Sequence, residues 1–545
     1  MLSANSLQTR SFSRAFGFTG ARFMLIVPTV MFGVWHSLFA FGLVDDAFIP
    51  MTYARNVVGL HGIVFYPGGE RVEGFTSPLW FLAMVLGELM GVSLPWLAYL
   101  LSMLFGLLTL WLMQALFLQV SSEASSENWA GVAGILLVID ISFPAWSSSG
   151  METTLFAWLL LLMVWGAMRG WQAHRMLWVW LALTLTRPEG ALLALAYPLL
   201  TYLRGGGFKR ASGVVVLGVF LPLGLLTLFR LMYFGVPLPN TFYAKHDFRG
   251  IELWLRGADY AAAFFRPRLL FGLVLLWPFL EWQQSRRWMW AVLIMAALIF
   301  AIVVAEGGDH FALHRFLTPA LPFLVIGLTR VVQRSWQRLA ERHAALARPL
   351  VKAGFALFGS VALALYVTQL VHFKERDAFR FSKGAQWYFD EVQWTQNWRE
   401  VGLWLKERYP AGTPIAVTTA GAIPYYSELP SIDIFGLNDP TIAHTPVGER
   451  ARYYPGHEKS NADYVLAQTP VYIQLVPTFF FTSLVYPWNV YYESGETPWD
   501  RIESMLRYPA QKDIWKHPEF RRHYQFNIVQ HNEGVIFLFE RKGYE

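Results

Sequence analysis

Long apolar segments separated by short polar clusters occupy roughly the first 370 residues of the chain. A helix needs about 20 mostly apolar residues to cross the hydrocarbon core of a bilayer. The pattern therefore predicts about eleven membrane-spanning helices. Their predicted bounds are 22–43, 95–119, 129–143, 151–168, 176–187, 188–203, 211–233, 268–282, 287–305, 312–330 and 350–372.

The apolar stretch 78–92 is treated differently, because it is short for a span and contains Glu88. A helix that lies along the membrane surface, or re-enters it, suits this pattern better. The first outer loop then extends from about 44 to 94, and the odd number of spans puts the two chain ends on opposite sides.

Basic residues in alternate connections indicate the orientation, since cytoplasmic loops carry an excess of Lys and Arg. Four connections on the same side as the N-terminus have this excess. Their basic residues are Arg169 and Arg175; Arg204, Lys209 and Arg210; Arg286 and Arg287; and Arg330, Arg334, Arg338, Arg342, Arg348 and Lys352. We therefore expect a cytoplasmic N-terminus and an extracytoplasmic C-terminal region.

The pattern changes after residue 372, where charged residues, Trp and Tyr are interspersed. The segment "WTQNWREVGLWLKERYP" predicts a helix, and Ile415 begins a predicted strand. Near the end, "NIVQHNEGVIFLFERK" predicts a hairpin that turns at 532–534. The fold class predicted is a polytopic α-helical membrane module over 1–372, followed by a small α/β extracytoplasmic domain over 373–545.

Composition supports the membrane interpretation, since only 15% of the 545 residues are charged and 55% are hydrophobic. Soluble proteins have about a quarter charged residues. The net charge of +6 is spread over loop clusters, which does not indicate a nucleic-acid partner. The absence of cysteine excludes a disulfide framework, a thiolate metal site and a cysteine nucleophile.

Ionisable residues at the outer ends of the spans are the candidates for chemistry, because charges at membrane depth are costly and usually functional. Two adjacent acids, Asp45 and Asp46, follow the first span. A carboxylate pair can deprotonate a hydroxyl, cations at the membrane surface can hold a phosphate whose tail lies in lipid, and Trp and Tyr offer faces to a sugar. The combination indicates sugar transfer from a polyprenyl-phosphate donor.

Each motif also has a structural interpretation. Asp45 or Asp46 could cap the helix that follows them, and Arg187 with Glu189 could form an ion pair at a helix boundary. The segments "PNTFYAKHD" and "PGHEK" could be an ordinary turn and a surface loop, and the Tyr425-Tyr426 pair could be packed aromatics. Asp309-His310 and His314-Arg315 have a spacing compatible with a metal ion, which is a weak signal alone.

A family resemblance rests on several of these motifs together. They are "DDAFIPMTYARNVVGLHGIVFYPGGERVEGFTSPLW", "SSSGMETTLF", "LTRPEG", "GVPLPNTFYAK", "GGDHFALHRFLTPALP", "AGAIPYYSELPSIDIFGLNDPTIA" and "PGHEK". The acid pair after an N-terminal span is similar to the GT-C superfamily of membrane glycosyltransferases. The whole set resembles the terminal β-arabinofuranosyltransferase family of mycobacterial and corynebacterial envelopes.

This resemblance implies a GT-C fold, a decaprenyl-phosphate arabinofuranose donor, and a multi-pass protein of the bacterial inner membrane with a periplasmic site. It matches the family's loop acids to Asp45 and Asp46, the expected catalytic residues. A glycan or glycoprotein acceptor is expected. No cofactor is assigned, and a divalent cation stays open.

The remaining candidates are assigned from their position at the outer side. Donor phosphate or sugar contacts are expected from Arg55, Glu152, Arg187, Asn240, Tyr243, Lys245, His246, Asp309, His314 and Arg315. Acceptor contacts are expected from Tyr425, Tyr426, His457 and Lys459. A transporter of lipid-linked or anionic solutes is the alternative, although transporters often place polar residues near the midplane rather than at one face. A glycan sensor ranks last, because no cytoplasmic signalling domain is evident.

Overall fold

The structure is a computed structural model of the chain. It describes residues 20–38, 42–121, 126–245, 250–280, 286–342, 383–447, 456–475, 479–481, 499–531 and 534–544, with isolated positions between 354 and 367. The predicted span at 350–372 and the first domain boundary, at 372, thus lie largely outside the described residues.

Helices account for nearly all of the membrane module. The α-helices are Gly20–Leu38, Phe48–Val58, Pro78–Leu89, Leu94–Val120, Ser126–Ile139, Ser142–Ser148, Thr153–Arg169, Ala173–Thr186, Pro188–Ala194, Tyr197–Arg204, Phe208–Tyr233, Asn240–Lys245, Gly250–Phe265, Trp277–Leu280, Arg286–Ala305 and Leu321–Arg342. Turns of 3-10 helix cover Asp45–Ala47, Arg266–Leu276 and Ala312–Ala320.

Five of the described helical segments are long and apolar enough to cross a membrane, or six if one bent pair counts as a span. They are Leu94–Val120, Phe208–Tyr233, Gly250–Leu280, Arg286–Ala305 and Ala312–Arg342, and the bent pair is Ser126–Ile139 with Ser142–Ser148. The other expected spans that lie within the described residues appear as shorter helices. The expected span at 188–203, for example, divides into Pro188–Ala194 and Tyr197–Arg204. A polytopic helical architecture is therefore confirmed, while the number of eleven spans stays a prediction.

The first outer loop folds back on the helices instead of extending away from them. The expected non-spanning helix is present at Pro78–Leu89. The Glu73 carboxylate accepts two hydrogen bonds from Arg230 of the helix Phe208–Tyr233, at 2.6 Å from Nε and 2.9 Å from Nη2. The Asn56 amide donates to the backbone oxygens of Val64 and Phe65. The Glu73–Arg230 pair therefore holds the loop against the helix Phe208–Tyr233, and the Asn56 contacts fix the fold of the loop itself.

The C-terminal region is the α/β domain that the sequence predicts. A long helix, Lys383–Arg408, leads into a small sheet of six strands. The strands are β1 (Ile415–Val417), β2 (Ser431–Asp433), β3 (Tyr472–Ile473), β4 (Phe479–Phe481), β5 (Tyr524–His531) and β6 (Gly534–Arg541). The short helices of this domain are Ala422–Ser427, Pro440–Ala443, Ala462–Ala467, Trp499–Met505, Pro509–Lys516 and Pro518–His523.

The sheet is mixed. Strands β2, β1 and β3 are parallel neighbours, and β6 pairs antiparallel with β3 and β4 on one side and with β5 on the other. The predicted hairpin is β5–β6, in which His531 pairs with Gly534. Its turn residues 532–533 lie outside the described residues.

One apolar core continues from the membrane module into the C-terminal domain. Val401 and Leu405, on the predicted inner face of the long helix, are fully buried in it, and Tyr425 joins it beside Phe48. A second apolar cluster lies under the sheet and includes Ile473 and Trp515. Because the first core is shared, residues of the domain and of the outer loop can contribute to one site.

Candidate functional site

The acid pair lies in the 3-10 turn Asp45–Ala47, called the acid turn below. The helix that follows has Ala47 as its N-cap, and no side chain caps it. The alternative that the acids simply cap this helix is therefore wrong. The two carboxylates also differ, because Asp45 is only 6% exposed while Asp46 is partly exposed.

Asp45 is bound to the C-terminal domain. Its Oδ2 accepts the backbone N–H of Gly421 at 3.0 Å, and its Oδ1 accepts that of Ala422 at 2.7 Å. Burial raises the pKa of Asp45 to about 7, and the nearby Asp46 adds to this, although the two N–H donors act in the opposite direction. A carboxylate that is occupied in this way has little freedom to meet a substrate.

Arg315 and Asp309 form a buried ion pair, with 2.7 Å between Nε and Oδ2. The other Asp309 oxygen accepts the backbone N–H of His310 at 2.9 Å. Burial alone would raise the pKa of Asp309, but Arg315 and His310 hold it well below its usual range. The Arg315 guanidinium lies over the Phe311 ring, 4.4 Å from its centre. Asp309 is thus an ionised partner that holds Arg315.

Arg187 occupies the boundary between two helices, as one alternative proposed. Its Nε is 2.5 Å from Glu189 Oε1, and its Nη1 is 3.6 Å from Glu152 Oε1. The Arg187 guanidinium carbon is 4.3 Å from the centre of the Phe316 ring, and that of Arg315 is 4.9 Å from the same ring. The two guanidinium groups therefore border one aromatic side chain, which brings two buried positive charges together.

Lys245 is the third cation of this region, at the end of the short helix Asn240–Lys245. Among the described residues, no carboxylate lies within ion-pair distance of its ammonium group. Burial lowers the pKa of Lys245, Asp46 opposes this, and Arg315 and Arg187 add to it. Lys245 thus lies within electrostatic range of Asp46 and both arginines. We call Arg187, Lys245 and Arg315 the cation cluster.

Two carboxyl groups near the cluster were not assigned roles from the sequence. Burial raises the pKa of Glu306, and Glu189 raises it further. Burial also raises the pKa of Glu391 to about 8, with contributions from Asp45 and Asp46. Glu306 directly precedes the quoted "GGDHFALHRFLTPALP" segment, so its position gave a signal. Glu391 lies within the long helix of the C-terminal domain, where no sequence pattern distinguishes it.

Several predicted site residues join the two domains instead of lining the cluster. Arg55 Nη1 donates to the backbone oxygen of Tyr425 at 2.6 Å, and its guanidinium lies 4.0 Å from the Tyr425 ring centre. Tyr425 and Tyr426 both pack against Phe48. Asn240 donates to the backbone oxygens of Gly436 and Leu437, at 2.8 and 3.0 Å.

These contacts form a continuous surface that we call the docking seam. It consists of Asp45, Phe48, Arg55 and Asn240 on the membrane module, and of Gly421, Ala422, Tyr425, Tyr426, Gly436 and Leu437 on the C-terminal domain.

The segment that begins at Gly456 lies beside Lys245 of the cation cluster. The position of Gly456 is close to the Lys245 side chain. The His457 ring is 4.9 Å from that of His310 and stacks on Tyr508. Lys459 is buried, and its Nζ donates to the backbone oxygen of Thr445 at 2.8 Å. His457 is therefore the predicted acceptor contact that lies nearest to the cluster residues.

The other predicted contacts lie elsewhere. The Tyr243 ring packs on His444, with 4.5 Å between ring centres. The His314 ring packs against Tyr260 and Phe264, because its backbone has a φ of 55° within the 3-10 segment. His246 lies outside the described residues. The described residues contain no group of three or more His, Asp or Glu side chains that could hold a metal ion.

The chain is similar to one protein-family model and to solved structures. A family model described as a domain of unknown function (DUF8728) matches residues 385–526, within the C-terminal domain. No curated protein matches the chain.

Among solved structures, the chain is similar to ArnT from Cupriavidus metallidurans bound to undecaprenyl phosphate. The identity is 16%, the TM-score is 0.50, and the match covers 96% of this chain and 98% of that one. The apo state of the same protein matches with a TM-score of 0.49, at 16% identity and over 95% and 98% of the two chains. The chain thus has an ArnT-like fold over nearly its whole length, and the predicted fold class, a polytopic helical module with a small C-terminal α/β domain, is confirmed.

Proposed function

We propose that this protein transfers a sugar from a polyprenyl-phosphate donor to a hydroxyl group of a cell-envelope glycan or glycoprotein, at the extracytoplasmic face of the bacterial inner membrane. The observation that carries the proposal is the cation cluster, in which Arg187 and Arg315 border one ring and Lys245 lies within electrostatic range of both arginines and of Asp46. The ArnT-like fold supports it, because the ArnT crystal structure holds undecaprenyl phosphate.

The surroundings of Lys245 favour a phosphate ligand. Arg187 and Arg315 each have carboxylate partners at short distance, whereas Lys245 has only the longer-range fields of Asp46 and Asp309 among the described residues. A phosphate near Lys245 and the two arginines would give Lys245 a close anionic partner, and charge-assisted contacts of this kind are the strong ones. The polyprenyl tail would extend into the bilayer between the helices.

In the proposed reaction, Asp46 accepts the proton of the acceptor hydroxyl. The hydroxyl oxygen then bonds to the anomeric carbon of the sugar as the bond from that carbon to the phosphate oxygen breaks. The cation cluster stabilises the negative charge on the departing polyprenyl phosphate, which is the type of interaction that lowers such barriers most. A single displacement of this kind inverts the anomeric configuration.

Arabinofuranose is the donor sugar to test first, because the sequence motifs resemble a terminal β-arabinofuranosyltransferase family. The acceptor glycan would approach from the C-terminal domain, past the segment from Gly456 to Lys459 that lies over Lys245. Mass spectrometry of envelope glycans from cells with and without the protein identifies the acceptor.

The test compares transfer by purified wild-type protein and an Asp46→Asn variant in lipid nanodiscs, with decaprenyl-phosphate arabinofuranose and other polyprenyl-phosphate sugars as donors. A positioned general base contributes about 10²–10⁴-fold, so we expect kcat to fall by that factor in the variant. Asp513→Asn, at an exposed position of the C-terminal domain, is the matched control and should keep wild-type kcat. Wild-type turnover in Asp46→Asn, or no transfer from any donor, would contradict the proposal.

A further inference from the structure

The Asp45 carboxylate uses both of its oxygens on the backbone of a segment that is 376 and 377 residues away in the chain. The donors are consecutive, Gly421 N–H and Ala422 N–H, and they bind different oxygens. This is a two-point contact, which fixes the orientation of the carboxylate as well as its distance from the segment. The contact is buried, so water does not compete for it.

Gly421 shows how closely the two segments approach. A Cβ atom at this position would collide with the backbone oxygen of Asp45 and with its carboxyl carbon. The φ of Gly421 is −103°, which other residues can adopt, so the glycine is needed for the close approach alone. The acid turn and the segment at 421–422 therefore fit together through backbone as well as side chain.

Further contacts extend this fit along the docking seam. Phe48, which follows the acid turn, packs against Tyr425 and Tyr426 of the helix Ala422–Ser427. Arg55, two turns further along, reaches the carbonyl group at Tyr425 and the carboxylate of Glu428. Asp45 lies at one end of the docking seam, next to Asp46 in the chain.

Asp46 is the next residue in the same three-residue turn. Once the side chain and the backbone of Asp45 are fixed against Gly421, few backbone conformations remain for Asp46, because only two soft torsions separate neighbouring residues. Asp46 is the partly exposed acid of the pair, and it lies within electrostatic range of Lys245.

We propose that Asp45 is a positioning residue, which fastens the C-terminal domain to the acid turn through Gly421 and Ala422 and thereby fixes Asp46 at the cation cluster. This inference rests on the proposed function for the role of Asp46. It divides the acid pair into one residue that joins the domains and one that meets the substrate.

The groups around Asp45 favour a permanent contact between its carboxyl group and the N–H groups of Gly421 and Ala422. Asp46 and Asp433 are the charged neighbours that raise its pKa, and Glu391, on the long helix, contacts its backbone N–H. Burial is the largest cause that raises the pKa of Asp45 and pushes it towards the protonated form, and the charges of Asp46 and Asp433 add to it. The two N–H donors offset this, so losing them costs more than an ordinary hydrogen bond.

The first test measures hydrogen exchange at the amides of Gly421 and Ala422 in wild type, Asp45→Asn and Asp46→Asn. Asparagine has one acceptor oxygen, so in Asp45→Asn one of the two amides loses its partner. Because a hydrogen bond to a charged group is lost, we expect exchange there to accelerate about ten-fold or more. Asp46→Asn, the matched control, should leave the exchange unchanged. Unchanged exchange in Asp45→Asn would overturn the proposal.

The second test is a kinetic cycle with Asp45→Asn, Asp46→Asn and the double variant. If Asp45 acts through Asp46, then Asp45→Asn lowers kcat in the wild-type background and has no further effect once Asp46 is replaced. Additive losses, or normal kcat in Asp46→Asn with a large loss in Asp45→Asn, would overturn it. If the wild-type protein transfers no sugar, the proposed function fails, while the exchange measurement still decides whether Asp45 fastens the domain.

Discussion

The docking seam and the cation cluster both contain charged side chains, yet their charges are arranged differently. In the seam, the Asp45 carboxylate meets two N–H donors, and Arg55 meets a carbonyl oxygen and a carboxylate. In the cluster, two arginines border the same ring, and Lys245 has no carboxylate within ion-pair distance among the described residues.

This difference distinguishes charged groups with a structural role from charged groups that can bind a ligand. Burying a charge is costly unless partners are in place. A buried charge whose partners all belong to the folded chain therefore has a structural role. A group with an incomplete set of partners is open to a ligand. By this criterion Asp45 has a structural role, and Lys245 and Asp46 are the groups open to a substrate. The three predictions that follow test the criterion.

The largest expected effect is on stability. It concerns the Glu73–Arg230 ion pair, which lies outside both the docking seam and the cation cluster. Glu73→Gln removes the carboxylate that accepts both hydrogen bonds from buried Arg230. Breaking a buried ion pair from one side costs about 3 kcal/mol or more, so we expect a clearly lower melting temperature in lipid nanodiscs. Glu70→Gln, at an exposed position in the same loop, is the control and should melt like wild type.

If the Glu73–Arg230 pair has only a structural role, polyprenyl-phosphate binding by the folded Glu73→Gln protein stays at the wild-type level. A large loss of affinity without a loss of melting temperature would show that the criterion fails.

The second effect is on ligand affinity. Lys245→Met removes the cation that lacks a close partner and keeps much of the side-chain volume. A charge-assisted contact contributes about 1.5–3 kcal/mol, so the Kd for a polyprenyl phosphate should rise about ten- to 150-fold. Titration of nanodisc-embedded protein with the lipid phosphate measures it.

Lys209→Met, at an exposed lysine near the start of the helix Phe208–Tyr233, provides the control and should bind like wild type. Equal affinities for wild type and Lys245→Met would place the phosphate elsewhere.

The smallest effect depends on pH and concerns Glu391. Burial and the two acids of the turn raise its pKa from 4.5 to about 8. Between these values the unfolded chain binds fewer protons than the native protein, so wild type loses stability as the pH rises through this window. Glu391→Gln has no carboxylate to ionise and should be more stable than wild type at pH 8, by at least the roughly 1.4 kcal/mol of one pKa unit.

Thermal denaturation of the two proteins at pH 5 and pH 8 checks this sign, and the difference should nearly vanish at pH 5. Glu407→Gln, on an exposed face of the same helix, should show no such pH-dependent gain. A variant that is less stable than wild type at pH 8 would mean that the Glu391 carboxylate is ionised and paired.

The sequence by itself determined the elements of this protein. Apolar length and periodicity are local properties, so they predicted the helix Leu94–Val120, the short helix Pro78–Leu89, the strand at Ile415 and the β5–β6 hairpin. The acid pair, "LTRPEG" and "GGDHFALHRF" also stood out locally, because ionisable residues at membrane depth are costly and usually functional.

Only the tertiary structure decided what each charge contacts. The partners of Asp45 lie 376 and 377 residues away, Glu391 reaches the acid turn from another domain, and Arg187 meets Arg315 at Phe316. His314 and Arg315 are adjacent in the chain, but a φ of 55° at His314 sends its ring to Tyr260 while Arg315 pairs with Asp309. Spacing along a chain fixes which residues share a helix face, whereas the pairing of buried charges depends on long-range packing that brings distant segments together.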